Sequence, residues 1–176
     1  VQFAKKGHRS LVVVISNAER EKFLLLAEEE GLNTISYGNG VTAKEAATSF
    51  RDGDGDALVG TAANYSEGVD LPKQAAPVIF FLRPGYPNPM DAGTQFEERR
   101  FGSMRWAIWN WRVMHQALQV RGRNIRSRSD VGVTFFMSQQ FRRVLYAALP
   151  EWLEPAYRNE LTLDEAIIDA EKLLTH

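Results

Sequence analysis

Cysteine is absent from this 176-residue chain, which excludes disulfides, thiolate metal sites and cysteine nucleophiles. The absence is typical of a reducing compartment, and we expect a cytoplasmic location. Histidine is scarce as well: His8, His115 and His176 are too scattered to indicate a metal site or a catalytic triad. No apolar run approaches the length of a membrane span and there is no signal peptide, so we expect no membrane partner.

The chain begins at Val1 rather than at a methionine, and its length suits one domain with a sizeable core. We therefore expect residues 1–176 to be a single domain that belongs to a longer protein. The composition, 44% hydrophobic and 24% charged, favours a globular domain over a disordered segment.

The phosphate-binding sequence G-x-x-x-x-G-K-[ST] occurs nowhere in the chain. Neither a glycine-flanked nucleophilic serine nor a carboxylate pair suited to glycoside hydrolysis stands out. A role in binding nucleotide phosphates would therefore need a phosphate cradle supplied by another domain.

Positive charge is concentrated in one segment. Residues 99–128 contain eight arginines, no lysine and no acidic residue, although the whole chain has a formal charge of −1. Clustered guanidinium groups repel one another, so this pattern favours an anionic ligand. Gln119 and Gly122 precede Arg123 and Arg126, which offer planar, bidentate donors to phosphate oxygens. We predict that Arg123 and Arg126 contact a nucleoside triphosphate held mainly by another domain.

Strand and helix patterns alternate along the chain and predict right-handed βαβ units in a parallel sheet. Apolar, β-branched runs predict strands at residues 11–15, 33–37, 56–61, 77–82 and 131–137. Capping residues predict helix starts after Ser16, Thr42, Ser138 and Thr162.

Three tryptophans, Trp106, Trp109 and Trp111, fall within six residues of a predicted helix and could stack nucleic-acid bases. Helical spacing places two of them on one face together with Val113 and Ala117. Core packing is therefore the favoured interpretation for Trp106 and Trp109.

A loop at residues 62–70 follows a buried strand, where ligands bind in parallel α/β sheets. Gly68 allows close backbone approach, and Glu67 and Asp70 offer acceptors to ribose hydroxyls or to a bridging arginine. Taken alone, the loop is explained as well by a turn glycine with solvated acids; the arginine segment favours the binding interpretation. A weaker glycine pattern, Gly38 with Gly40, leaves a dinucleotide-dependent enzyme as a minor alternative.

Four short motifs together resemble the second motor domain of DinG/XPD-type helicases of superfamily 2. They are E-G-V-D before a proline at residues 67–72, Q-x-x-G-R-x-x-R at 119–126, S-D-x-G-V at 129–133 and L-P-x-W at 149–152. Residues 1–57 match in pattern only. The sequence departs from the family after the last predicted strand, where Ser138 and Gln140 replace a common aspartate and arginine.

The resemblance implies a RecA-like α/β domain with a mostly parallel sheet and helices on both faces. Such a domain closes on a first RecA-like domain of the same polypeptide, with ATP and Mg²⁺ between them and bound mainly by that first domain. It also implies catalytic roles for Gln119, Arg123 and Arg126. Four nucleotide-binding residues are expected: Glu67, Gly68, Asp70 and Gly122.

The same resemblance implies that single-stranded nucleic acid, expected to be DNA, contacts Ser16, Asn17, Thr61 and Asn64. The expected function is thus an ATP-dependent helicase or translocase that moves 5′ to 3′, in which this chain alone is inactive. A non-enzymatic nucleic-acid-binding module on the same scaffold remains the alternative.

Overall fold

The computed structural model of the chain describes residues 1–65, 71, 75–125, 130–159 and 161–175. Within these ranges the strands are β1 (Ser10–Val14), β2 (Thr34–Ser36), β3 (Ala57–Thr61), β4 (Val78–Phe81) and β5 (Val133–Phe136). They form a five-stranded, all-parallel sheet in the order β2-β3-β1-β4-β5. Each predicted strand is present: β1 is shifted by one residue towards the amino terminus, and the other four strands are one to three residues shorter than predicted.

The connecting segments are helical. The α-helices are α1 (Gln2–Lys5), α2 (Asn17–Glu29), α3 (Ala43–Arg51), α4 (Ala62–Tyr65), α5 (Ala92–Phe101), α6 (Arg105–Arg121), α7 (Gln139–Ala148) and α8 (Leu163–Leu174). Short 3-10 helices span Gly102–Met104 and Glu151–Ala156. None of the described helices has the length and apolar character needed to cross a membrane.

Both faces of the sheet are covered, as predicted. One face, with Leu11, Val13, Leu58, Ile79 and Phe81, packs against α3, α6 and α7. The opposite face packs against α2 on one side and against α1 and α8 on the other. Every residue of β1 is buried because this strand is central in the sheet and lies between two helical layers.

Side-chain caps fix where the helices begin. Thr42 and Glu45 form a reciprocal capping box, as do Thr162 and Glu165. Ser16 accepts a hydrogen bond from the Glu19 amide at 3.2 Å, but the Glu19 carboxylate turns back to the Ile15 amide instead of completing the box.

Two of the eight arginines in residues 99–128 pair with acidic side chains, so the charge of this segment is partly neutralised. Helix α5, which the sequence patterns did not predict, brings two glutamates back against α6. The guanidinium of Arg112 makes two hydrogen bonds to the Glu97 carboxylate, at 2.8 and 2.7 Å, and Arg105 Nε lies 3.4 Å from Glu98 Oε1. Mutual repulsion therefore acts on fewer of these arginines than the sequence suggested.

One of the two tryptophans expected in the core is not there. Trp109 is 3% exposed, and its indole N–H donates to Glu97 Oε2 at 3.2 Å. Trp106 is 53% exposed, because α6 extends past the sheet at that point and, among the described residues, the core does not reach this part of its inward face.

Gly60, the fourth residue of β3, is the described glycine at which an added Cβ would lie closest to another atom. A Cβ built there would lie 2.1 Å from Tyr65 Cε2 and 3.1 Å from Tyr37 Cε1. We expect Gly60→Ala to lower the free energy of unfolding by about 1–3 kcal/mol through overpacking, measured by chemical denaturation. Gly122→Ala is the matched control, because its nearest contact would be an ordinary 3.4 Å to the Leu118 carbonyl. Equal stability of the two variants would contradict this account of Gly60.

Candidate functional site

The sheet brings the four predicted nucleic-acid-binding residues to one edge. Val14 pairs with Thr61, so the carboxyl ends of β1 and β3 lie side by side. Ser16 and Asn17 follow β1, whereas Thr61 ends β3 and Asn64 lies on α4 directly after it. These positions are where parallel α/β domains bind their ligands.

Two of these residues, Asn17 and Thr61, contact the hydroxyl of Tyr37, and a third, Asn64, contacts Thr61. Tyr37 ends the segment predicted as the second strand. Tyr37 Oη lies 2.8 Å from Asn17 Oδ1 and 3.2 Å from Thr61 Oγ1, and Asn64 Nδ2 donates to Thr61 Oγ1 at 3.2 Å. Thr61 is buried, while Asn17 and Asn64 are exposed. We call Asn17, Tyr37, Thr61 and Asn64 the hydroxyl cluster. It presents amide donors to solvent at the N-terminus of α2, an arrangement suited to phosphate oxygens.

Tyr37 is held in place from beneath by Arg20. The Arg20 guanidinium lies 4.3 Å from the centre of the Tyr37 ring, donates to Ser36 Oγ at 3.1 Å and also donates to the Tyr37 carbonyl. Arg20 is buried, which is unusual for an arginine and indicates a structural role. Tyr65 packs edge-on against Tyr37, and burial raises the pKa of the Tyr65 hydroxyl, which therefore stays protonated.

Sequence reasoning missed Tyr37 and Arg20. Ser16 and Thr61 were implied by the family resemblance. The rule that ligands bind after the carboxyl ends of strands, which was applied to the loop at residues 62–70, applies equally to Tyr37 at the end of the second predicted strand. Arg20 carries no comparable signal, because an arginine in the first turns of a helix is usually solvated.

The arginine motif lies at the other edge of the sheet. Asn124, just after α6, donates from Nδ2 to the carbonyl of Pro77, the residue before β4. Helix α6 therefore runs antiparallel to the strands and ends at their amino edge, with Gln119 and Arg123 half-buried there. The four residues of β4 separate this edge from the hydroxyl cluster by about 13 Å. Arg126 and the loop residues Glu67, Gly68 and Asp70 lie outside the described residues.

The backbone conformation at position 122 does not require a glycine. The φ of Gly122 is −71°, an ordinary helical value, and a Cβ there would meet only ordinary contacts. Gly38 and Gly40 differ, because they flank Asn39 in an exposed turn closed by a bridge between Gly38 and Val41, and all three have positive φ. The turn accounts for that glycine pair without a dinucleotide.

The crevice between β1 and β4 is the topological switch point of the sheet, since the chain leaves these two strands in opposite directions. It is spanned by an ion pair: Arg83 Nε donates to Glu19 Oε1 at 2.6 Å, while Glu19 Oε2 accepts from the Ile15 amide at 3.0 Å. Burial of Glu19 acts to raise its pKa, but the hydrogen bonds from Ile15 and Arg83 outweigh burial, so its pKa is lowered.

The departure from the family pattern after the last predicted strand has a local structural role. Ser138 Oγ accepts from the Gln140 amide at 3.2 Å and caps α7, and Gln140 is exposed. Within the described part of the chain, no group of three or more His, Asp or Glu side chains is placed to hold a metal ion.

Comparison with known proteins agrees with this architecture. Residues 2–156 match the model of the helicase C-terminal domain family, and the chain belongs to that family. No curated protein sequence gives a significant match.

Among solved structures, the C-terminal part of the Fun30 ATPase domain superposes with a TM-score of 0.52 at 11% identity, covering 97% of this chain and 48% of that one. This chain thus spans about half the length of that structure. The C-terminal domain of S. cerevisiae Dbp5, solved bound to Gle1 and IP6, gives a TM-score of 0.56 at 14% identity, covering 96% of this chain and 84% of that one. At these identities the similarity establishes the fold, which is the RecA-like fold of helicase C-terminal domains.

Replacing Glu19 should expose the contribution of its ion pair. Because the pKa of Glu19 is lowered by folding, its stabilisation is present above the unfolded pKa of about 4.3 and is lost as the pH falls through the folded pKa. We expect Glu19→Gln to cost about 0.5–1 kcal/mol at pH 7, allowing for solvent screening. Chemical denaturation measures the free energy of unfolding of both proteins. Their difference should narrow as the pH falls below about 4.3.

The control for this experiment is Glu28→Gln, because Glu28 is an exposed glutamate of the same helix. A difference between Glu19→Gln and the unmodified protein that stays constant from neutral to acidic pH would contradict the assignment.

Proposed function

We propose that this chain is the second motor lobe of an ATP-dependent helicase or translocase of the DinG/XPD type. In this proposal it moves 5′ to 3′ on single-stranded nucleic acid, taken to be DNA by the family resemblance. One observation carries the proposal: in a helicase C-terminal domain, three of the four residues expected to contact the strand belong to one hydrogen-bonded cluster, and Arg123 lies at the opposite edge of the sheet.

The nucleotide side of the proposal is the amino edge. Gln119, Arg123 and Arg126 would complete a pocket whose phosphate cradle and Mg²⁺ are held by a first RecA-like domain of the same polypeptide. Arg123 would reach the terminal phosphates, where a guanidinium stabilises the charge of the transition state. Gly122 supports this role, because its ordinary φ and the ordinary contacts that a Cβ would make there give no folding reason for a glycine, while a ligand that approaches the backbone closely would require one.

The nucleic-acid side is the carboxyl edge. Asn17 and Asn64 present exposed amide groups beside the amino terminus of α2, and Ser16 fixes where that helix begins. Neutral donors of this kind position a phosphate backbone without reading its bases, as a motor that moves along any sequence requires. Thr61 sits buried between Tyr37 and Asn64 and orients both.

In this proposal the nucleotide side and the nucleic-acid side are coupled because the sheet and α6 connect them rigidly. When ATP draws Arg123 towards the other domain, the sheet and α6 move as a body and carry the hydroxyl cluster with them. Glu67, Gly68 and Asp70 lie in the chain between α4 at the carboxyl edge and β4. In this proposal they contact the nucleotide and connect it to the strand.

The arginine-finger role is tested in the intact protein by Arg123→Ala. We expect ATP hydrolysis to fall by ~10³-fold or more, because the transition state loses its guanidinium, while ATP affinity changes little. Steady-state hydrolysis and nucleotide binding are measured side by side, with the melting temperature as a check on folding. Arg51→Ala, which removes an exposed arginine at the end of α3, is the control and should hydrolyse normally.

Normal hydrolysis by the Arg123→Ala variant would refute the arginine-finger assignment. An intact protein that binds single strands but hydrolyses no ATP would instead support the alternative, a non-enzymatic binding module.

The strand-binding role is tested by Asn64→Ala, which removes an exposed amide. Hydrogen bonds to charged groups contribute roughly 1.5–3 kcal/mol, so we expect affinity for single-stranded DNA to fall about tenfold or more. Fluorescence anisotropy with a labelled oligonucleotide measures the change. Asn33→Ala, which alters an exposed asparagine at the opposite edge of the sheet, is the matched control. Equal affinities of the two variants would remove Asn64 from the binding site.

A further inference from the structure

Helices α5 and α6 form an antiparallel pair whose connecting end is exposed, apolar and cationic. The pair is closed by Glu97, which binds both Arg112 and the Trp109 indole, and the chain reverses at Gly102 with φ +51°. We define the hairpin tip as residues 99–106. Its exposed apolar side chains are Phe101, Met104 and Trp106.

The tip extends beyond the carboxyl edge of the sheet. A Cβ on Gly85 would lie 3.1 Å from Gln116 Oε1 and 3.0 Å from Ile15 Cδ1, which places Gln116 level with the end of β1. Trp106 comes ten residues earlier on the same helix, so it lies about 15 Å further along the helix axis. Helix α6 also packs against α4, the helix that carries Asn64. The tip therefore overhangs the edge that holds the hydroxyl cluster.

Trp106 continues the inward face of α6 into solvent. It lies three residues before Trp109, on the face that is otherwise buried against the core. Its ring packs edge-on against Trp109, with centroids 5.2 Å apart, and Arg105 lies 5.4 Å from its centroid. The indole is thus held in a fixed orientation and is still 53% exposed, which is the geometry of a stacking platform.

The charge around the tip fits an anionic chain. Arg99 and Arg100 end α5 and are exposed, and within the described residues neither makes an ion pair with an acidic side chain. Guanidinium groups beside an exposed aromatic ring are the combination with which proteins bind single-stranded nucleic acid, because the rings stack bases and the cations contact phosphates.

We propose that Trp106 is a base-stacking residue for single-stranded nucleic acid, and that the hairpin tip extends the path of the strand beyond the hydroxyl cluster. This inference rests on the proposed function, because the strand reaches the tip from Asn64. Bases would stack on Trp106, while Arg99 and Arg100 would contact the adjacent phosphates.

The test uses the intact protein without nucleotide and a fluorescent oligodeoxythymidylate. Trp106→Ala is expected to weaken binding about 5- to 100-fold, the range for losing one base–aromatic stack, and Trp106→Phe should restore much of it. The matched control is Trp111→Ala. Trp111 is 63% exposed on the same helix, but it points about 140° away from Trp106 and stacks on His115.

A second oligonucleotide separates stacking from charge. On a strand of abasic sites, which keeps its phosphates, Trp106→Ala should bind as well as the unmodified protein. Equal losses for Trp106→Ala and Trp111→Ala, or an equal loss on the abasic strand, would overturn the stacking role.

Comparison with the Asn64→Ala variant distinguishes a failure of the stacking role from a failure of the proposed strand-binding function. If Asn64→Ala weakens binding and Trp106→Ala does not, the strand-binding function stands and the stacking role is overturned, which leaves the tip as a surface for a neighbouring protein domain. If neither change affects binding, both proposals fail.

Discussion

The packing of α6 against the sheet is the interaction on which the two candidate sites depend. A buried stripe of Trp109, Val113, Ala117 and Val120 fixes this helix across the full height of the strands. Because α6 runs antiparallel to the strands, its last residues reach the amino edge and its first turn overhangs the carboxyl edge. One rigid element thereby carries side chains to both ends of the domain, about 24 Å apart for a helix of 17 residues.

The fold was predictable because its signals are local and agree with one another. Continuous apolar runs, capping residues and loop glycines are each read within a few positions, and they specified a parallel sheet with helices on both faces. Helix α5 was missed because its sequence, Ala92–Phe101, has no apolar stripe: it is held by Glu97 and Glu98, which pair with arginines of α6. An element stabilised by long-range ion pairs leaves no periodic pattern.

The sequence predicted where the candidate site lies, but not which side chains hydrogen-bond to one another within it. The family resemblance pointed to Ser16, Asn17, Thr61 and Asn64, but Asn17 and Thr61 are joined through the hydroxyl of Tyr37, the residue after β2. Strand β2 lies two positions from β1 in the sheet, so this contact depends on the strand order. The burial of Arg20 beneath Tyr37 likewise depends on the sheet order. For Trp106 the helical periodicity predicted the correct face of α6. It could not predict that the core ends before Trp106, which leaves this side chain exposed.

The ion pair between Glu19 and Arg83 has a consequence for what the carboxyl edge can select. In open α/β sheets, ligands bind at the switch point. In this chain the cation at that point, Arg83, is already paired with the Glu19 carboxylate. A free phosphate or a mononucleotide entering that crevice has to compete with Glu19, whose lowered pKa keeps it ionised at neutral pH. A polymer that lies across β1 and β3 avoids this competition, since it draws its affinity from many weak contacts spread along its length. Under the proposed function, this ion pair would therefore disfavour compact anions at the switch point and leave the path of an extended strand unaffected.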